Sequence, residues 1–242
     1  MHQKQGRATA LSSQFPQGLG VLVFVQIFST LSFSVLYSSL VLYMKGTLGF
    51  SVDESTTITG FFLAFNYGLH LLGGFFSGRL VSNRLLFAIS MILTIIACIL
   101  LRIPFKTEFY LGLAFFLTGS GLNVTCLNCM VTQLFEPDDP RRENAFFWVY
   151  SAMNVGFFLG FSLSGYFNTL GDYRTLFMVG GIGNLMSLFA VFRQWHLLRD
   201  KGTILSKMSQ RDKRIRQNVA ITLVLIMIPG LYFMLYYAEL AN

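Results

Sequence analysis

Residues 19–44 read LGVLVFVQIFSTLSFSVLYSSLVLYM and hold no Asp, Glu, Lys or Arg. At about 1.5 Å of rise per residue, a helix of this length crosses the roughly 30 Å hydrocarbon core of a bilayer. The segment before it, residues 1–17, is polar, and no small-residue cleavage site follows the apolar run, so the run is a first span and not a removed signal peptide. Six more stretches of the same kind follow, at 57–78, 84–103, 109–135, 145–170, 174–195 and 217–238. The loops between them leave no room for a soluble domain.

The composition agrees. Hydrophobic residues make up 54% of the chain and charged residues 12%, with a mean hydropathy of +0.59, whereas a soluble domain carries about a quarter charged residues. The class is an all-α integral membrane protein, with membrane lipid as its surroundings. Of the 18 Lys and Arg, only Lys45, Arg102, Lys106 and Arg174 fall in one set of loops; the other fourteen fall on the opposite side. The positive-inside rule then predicts a cytoplasmic N-terminus. The net charge of +7 and pI near 9.5 report this topology; no groove-reading motif or aromatic-basic platform points to nucleic acid as a partner.

The predicted organisation is a cytoplasmic N-terminal segment (1–17), a six-helix bundle (18–197), a basic cytoplasmic linker (198–216) and a seventh hydrophobic helix with its tail (217–242). Six helices followed by a basic linker have the look of one half of a larger transporter. Cys98, Cys126 and Cys129 all fall inside spans, which implies no disulfide framework. Cys126-Leu-Asn-Cys129 reads as two small packing residues in an apolar helix, beside the alternative of a redox pair. The sequon Asn123-Val-Thr125, buried in a span, cannot meet the glycosyl transferase. No metal cluster, Ser/His/Asp arrangement or phosphate loop suggests an enzyme, a cofactor or a metal. The 26 Phe, many in pairs such as Phe61-Phe62 and Phe157-Phe158, read as lipid-facing packing.

Two sets of motifs carry a resemblance. Gly73-Gly-Phe-Phe-Ser-Gly78-Arg79-Leu-Val-Ser-Asn-Arg84 resembles the loop motif of the major facilitator superfamily, in which an Asp and basic residues latch two halves together; Gly78 stands where that Asp usually is. Gly119-Ser-Gly-Leu122, then Phe135-Glu-Pro-Asp-Asp-Pro-Arg-Arg-Glu-Asn-Ala-Phe-Phe147, then Tyr150-Ser-Ala-Met-Asn154-Val-Gly156 resemble the fourth- and fifth-helix signatures of proton-dependent oligopeptide transporters. With Leu40-Val-Leu-Tyr43 and Leu48-Gly-Phe-Ser51, the likeness runs in order over residues 20–197. It implies the N-terminal six-helix bundle of such a transporter. Residues 218–238, with Pro229-Gly230 expected to kink them, resemble one of the extra helices that bacterial members carry between their halves.

The departures fall on charges. Where the family has E-x-x-E-R-F in its first helix, this chain has Gln26, Ser29, Thr30 and Leu31, and Asn123-Val124 replaces the family's F-K. The first, fourth and fifth spans keep polar groups that can hydrogen-bond a substrate but do not titrate at ordinary pH, among them the candidate substrate-binding residues Gln26, Ser29 and Asn123, with Thr30, Ser32 and Asn154. His70 is the one titratable group left inside a span, either a replacement proton site or a histidine that bonds a neighbouring helix or faces the lumen passively.

The resemblance places Tyr67, Tyr150 and Asn154 at cavity-lining positions for a peptide-like ligand, with Tyr37 near the same cavity. Each has an ordinary reading beside it: Asn154 as interhelical glue, the tyrosines as packing or interface aromatics.

The expected function is transport of a small peptide-like (di- or tripeptide) or other polar solute with the usual proton-coupling charges absent, in a bacterial inner membrane. Two alternatives stand. One is a half-size unit completed by a homodimer or a separately encoded second six-helix half. The other is a non-transporting membrane protein, either a remnant or a sensor.

Overall fold

A computed structural model describes residues 15–198 and 200–240, with the side chains of 239 and 240 outside the description. Most of the expected N-terminal segment, with Lys4 and Arg7, and the linker's Arg199 therefore lie outside the described residues.

The described chain is helical, in seven long elements: α1 (Leu19–Tyr43), α2 (Val52–Phe76), α3 (Asn83–Leu101), α4 (Lys106–Gln133), α5 (Arg141–Leu170), α6 (Tyr173–Arg193) and α7 (Gln210–Leu240). All seven are long and apolar enough to cross a membrane. α1 runs on into one π-helical turn, Met44–Leu48, which ends at Gly49 in the left-handed region (φ 74°).

Several helices begin earlier than their apolar runs, because polar residues cap them. Ser51 and Glu54 form a reciprocal capping box: Glu54 N donates to Ser51 Oγ (3.1 Å) and Ser51 N to Glu54 Oε2 (2.7 Å). Two otherwise orphaned N–H groups are satisfied, so α2 starts at Val52 and not at 57. We expect Ser51→Ala to lower stability by about 1 kcal/mol, read as an earlier thermal unfolding transition in detergent. Asp172 accepts from Thr175 N at the start of α6 (3.1 Å), and Ser209 accepts from Asp212 N ahead of α7 (3.2 Å). The last cap draws 210–216, expected as linker, into a helix that continues through Pro229.

Helices adjacent in sequence are mostly not adjacent in space. α1 packs on α5 and α6, α3 on α4 and α6, and α2 on α4, giving the spatial row α5–α1–α6–α3–α4–α2, with α7 laid against α4 and α2. Small residues set the closest crossing. Gly156, Gly160 and Ser164 make one buried stripe on α5 at i, i+4 spacing, the pattern that lets backbones approach in lipid. A Cβ on Gly156 would lie 2.5 Å from Ile27 O, and one on Gly160 would collide with Ser34 Oγ and sit 2.9 Å from Leu31 O. Ser34 Oγ in turn donates to Leu31 O (3.0 Å) and Gly156 O (3.4 Å).

At the end of the bundle that carries the π turn, Tyr43 is fully packed among Phe109, Tyr173 and Phe177 and donates its hydroxyl to Leu101 O (2.9 Å). Tyr110 meets Tyr232 and Tyr236 edge-on there, which fixes α7 on α4.

Candidate solute-binding cavity

The polar residues inside the spans converge. A cavity of about 290 Å³ opens at mid-bundle, and side chains from all six helices α1–α6 line it. α1 supplies Gln26, Ser29, Thr30, Ser32 and Phe33; α2 supplies Asn66, Tyr67 and His70. Met91 and Thr94 come from α3, Phe116, Ser120, Asn123 and Val124 from α4, Met153 and Phe157 from α5, and Asn184 from α6.

A buried polar group needs a partner, and most of these have one that leaves a second function open. Gln26 Nε2 donates to Thr30 Oγ1 (2.8 Å). Asn184 Nδ2 donates to Ser32 Oγ (2.8 Å), joining α6 to α1. Ser120 Oγ donates to Asn66 Oδ1 (2.6 Å), joining α4 to α2. Asn123 Nδ2 points at Met91 Sδ (3.8 Å). The His70 backbone carbonyl accepts from Thr125 Oγ1 (2.9 Å), while His70 Nε2 is buried without a hydrogen-bond partner among the described residues. The His70 ring stands edge-on to Tyr67, with centroids 5.8 Å apart.

Of the residues singled out from the sequence, Gln26, Ser29, Asn123, Tyr67 and His70 line this cavity. Tyr37 does not line it; its ring stacks on the lining residue Phe33 at 6.1 Å. Tyr150 and Asn154 lie on the exposed face of α5, where Asn154 Nδ2 donates to Tyr150 O of its own helix (2.9 Å). The glycine stripe sets this rotation: with Gly156 and Gly160 held on α1, the residues turned to the cavity are Met153 and Phe157, each about 100° round the helix from its neighbour. Asn66, Ser120, Thr94 and Asn184 join the cavity unannounced. The rule that flags polar residues within spans, applied to the second, third and sixth, picks out all but Ser120, which sits in the quoted glycine motif.

A second feature lies at the other end of α2. The turn after it, Ser77 to Ser82, is strapped by the segment that follows α6. Asn83 N, at the first turn of α3, donates to both oxygens of Asp200 (3.1 and 3.2 Å), and Leu205 N donates to Gly78 O (3.0 Å). Arg84 Nη1 donates to Trp195 O (2.7 Å), and the guanidinium stands 4.7 Å from the centre of the Trp195 ring. Gly78 is left-handed (φ 70°), and a Cβ there would meet Thr203 at 3.0 Å. A carboxylate thus reaches this turn from the linker, not from position 78. Burial pushes the Asp200 carboxyl above the usual carboxylate range, against the pull of the Asn83 N–H, Arg84 and Lys213.

Cys126 is buried and Cys129 half-buried, and both thiols are free.

The match to known proteins follows this architecture. The family model of the Major Facilitator Superfamily matches residues 22–241, and the chain belongs to that superfamily. It is 30% identical over 186 residues to the peptide transporter YePEPT of Yersinia enterocolitica, covering 74% of this chain and 36% of that one. It is 24% identical over 192 residues to dipeptide and tripeptide permease A of Proteus mirabilis, covering 78% and 39%. Among solved structures, a POT family transporter in complex with 5-aminolevulinic acid superposes with a TM-score of 0.77 at 23% identity, over 93% of this chain and 47% of that one. A bacterial homologue of the human peptide transporters PepT1 and PepT2 gives 0.78 at 16% identity, over 92% and 51%.

The chain is thus a divergent member of the Major Facilitator Superfamily, similar in sequence to peptide transporters over 186–192 residues and in fold to about half of a solved POT family transporter. It is an integral membrane protein of a transporter family and not an enzyme. It spans well under half the length of the two curated relatives described.

Proposed function

We propose that the chain forms one wall of a carrier for a small peptide-like or other polar solute, held by residues 18–197 in the cavity between the six helices. The observation that carries this is a cavity lined from all six helices at mid-bundle, whose polar side chains are, besides the His70 imidazole, amides and hydroxyls left with open hydrogen-bonding capacity. The curated relatives are peptide and di-/tripeptide transporters by name, which supports the solute class.

The second wall is another six-helix half or a second copy of this chain. Its seat is the pair α2 and α5, the two ends of the spatial row, which share little or no packing with each other. They carry exposed Tyr67, Phe75, Phe147, Trp148 and Phe158. The polar residues Asn154 and Ser162 are also exposed on α5 and suit a protein-covered or watered face better than lipid. The basic segment 198–216 lies on the cytoplasmic side of a bacterial inner membrane with the N-terminus, and the apolar part of α7 adds a lipid-facing helix. Proton coupling in this wall rests on His70 alone.

The test is uptake of labelled small peptides, free and end-blocked, into proteoliposomes, with and without a co-reconstituted second half. Uptake above empty vesicles supports the reading, and no uptake of any of them under either condition overturns it. If His70 carries the proton, His70→Gln flattens the pH profile of uptake between pH 5.5 and 7.5. A profile that keeps its shape assigns His70 to helix packing.

A further inference from the structure

We propose that this wall selects an uncharged, amide-bearing solute, such as an end-blocked or cyclic peptide, over a free peptide with charged ends. The proposal rests on the solute-site reading above and narrows it.

None of the seventeen lining residues is Asp, Glu, Lys or Arg. The surroundings are equally bare. Residues 19–44, 55–78, 85–101, 109–135, 144–170 and 175–192 contain no Asp, Glu, Lys or Arg, so every formal charge of the bundle sits at a helix end or in a loop. The cavity residues Thr30, Asn66, Asn123 and Asn184 are each eight or more residues from the nearest such charge in their own helix. At 1.5 Å per residue that is roughly 12 Å along the axis or more.

With His70 neutral, an ammonium or carboxylate brought to this depth loses its water and meets no opposite charge from this wall. Such a transfer costs several kcal/mol per ion unless the ion is paired. An amide loses far less, and here it is answered group for group. Gln26 and Asn184 each spend their N–H on a hydroxyl, at 2.8 Å in both cases, and keep the carbonyl oxygen as an acceptor. Asn66 spends its oxygen on Ser120 Oγ and keeps its NH₂ as a donor. Acceptors and donors anchored in this way match the N–H and C=O of a peptide unit. Phe33, Phe116 and Phe157 supply apolar walls for its side chains.

The experiment is equilibrium binding to the full chain in lipid nanodiscs, using tritiated alanyl-alanine and tritiated N-acetyl-alanyl-alanine amide. The expected result is that the blocked compound binds at least about tenfold more tightly, since it escapes the cost of desolvating two charged ends. Equal or tighter binding of alanyl-alanine overturns the proposal while leaving the solute site standing. Binding of neither compound overturns both.

A second arm uses Val124→Lys, which sets an ammonium into the cavity wall. In the folded variant the preference narrows, because the free carboxylate gains a partner. An unchanged preference counts against the proposal. Where the variant does not fold, the comparison in the unaltered protein decides alone.

Discussion

Gly160→Val is expected to abolish recovery of a folded, monodisperse protein, and Gly160→Ala to lower its unfolding transition by several degrees. The first added carbon already collides with Ser34 Oγ and lies 2.9 Å from both Leu31 O and Ser34 Cβ, and valine adds two more. Relief requires α5 to move off α1, which would break the Ser34–Gly156 contact and the bond from Ser164 Oγ to Val35 O (3.3 Å). Overpacking a fitted interface costs about 1–3 kcal/mol per intrusion, and helices in lipid lack a hydrophobic force between them to absorb it. Size-exclusion profiles and thermal unfolding in detergent give the reading. Ser34→Gly should partly rescue Gly160→Ala, because the first obstacle is a side chain. It should not rescue Gly156→Ala, where the obstacle is the backbone oxygen of Ile27 at 2.5 Å. Gly165→Ala, on the open side of the same helix, meets nothing within 4 Å. It should be neutral or stabilising by about 0.5–1 kcal/mol. Equal damage at 165 and 160 would refute the crossing as the cause.

Arg84→Ala is expected to release the strap beneath α2 and α3. The side chain gives a charge-assisted bond to Trp195 O and a stacked contact with its ring. Together these are worth about 2–3 kcal/mol, and the opening equilibrium of the segment should rise on the order of 30- to 150-fold. Tryptic cleavage at the exposed Lys201 and Lys207 reads that opening, since cleavage of a transiently open segment follows its population. An unchanged rate would mean that the segment is held elsewhere.

Asp200 adds a pH dependence to the same strap. Its carboxyl, raised by burial, holds a proton more readily when docked than when free. Docking is therefore firmest below the ordinary carboxylate range and weakens as the pH rises through the raised value. Arg84 and Lys213 limit that loss. Asp200→Asn keeps an acceptor for Asn83 N and should make the cleavage rate, normalised to denatured protein at each pH, independent of pH.

The spans were legible because bilayer thickness imposes a length that no packing detail can disguise. Their polar first turns were not, since Ser51 and Glu54 become helical only through each other's backbone bonds. In the cavity, Gln26, Ser29 and Asn123 could be found as polar residues replacing charges, and His70 as the last titratable group. Asn66 and Asn184 match no motif; as polar residues within spans they could have been flagged, but that they share one cavity shows only where α2, α4, α1 and α6 converge. Tyr150 and Asn154 carry the fifth-helix pattern, yet the rotation set by Gly156 and Gly160 turns them outward. The strap was the least legible. Asp200 is far along the chain from Gly78 and Asn83, and no periodicity connects them.

The absence of formal charge from the spans bears on energetics as well as recognition. A membrane potential of 100 mV does about 2.3 kcal/mol of work on each elementary charge that crosses it. With a neutral His70, a rocking motion of this wall carries no side-chain charge through the field. A resting cell's voltage would then neither drive nor resist that motion, and any electrogenic step in the carrier must be traced to its solute or to its second wall.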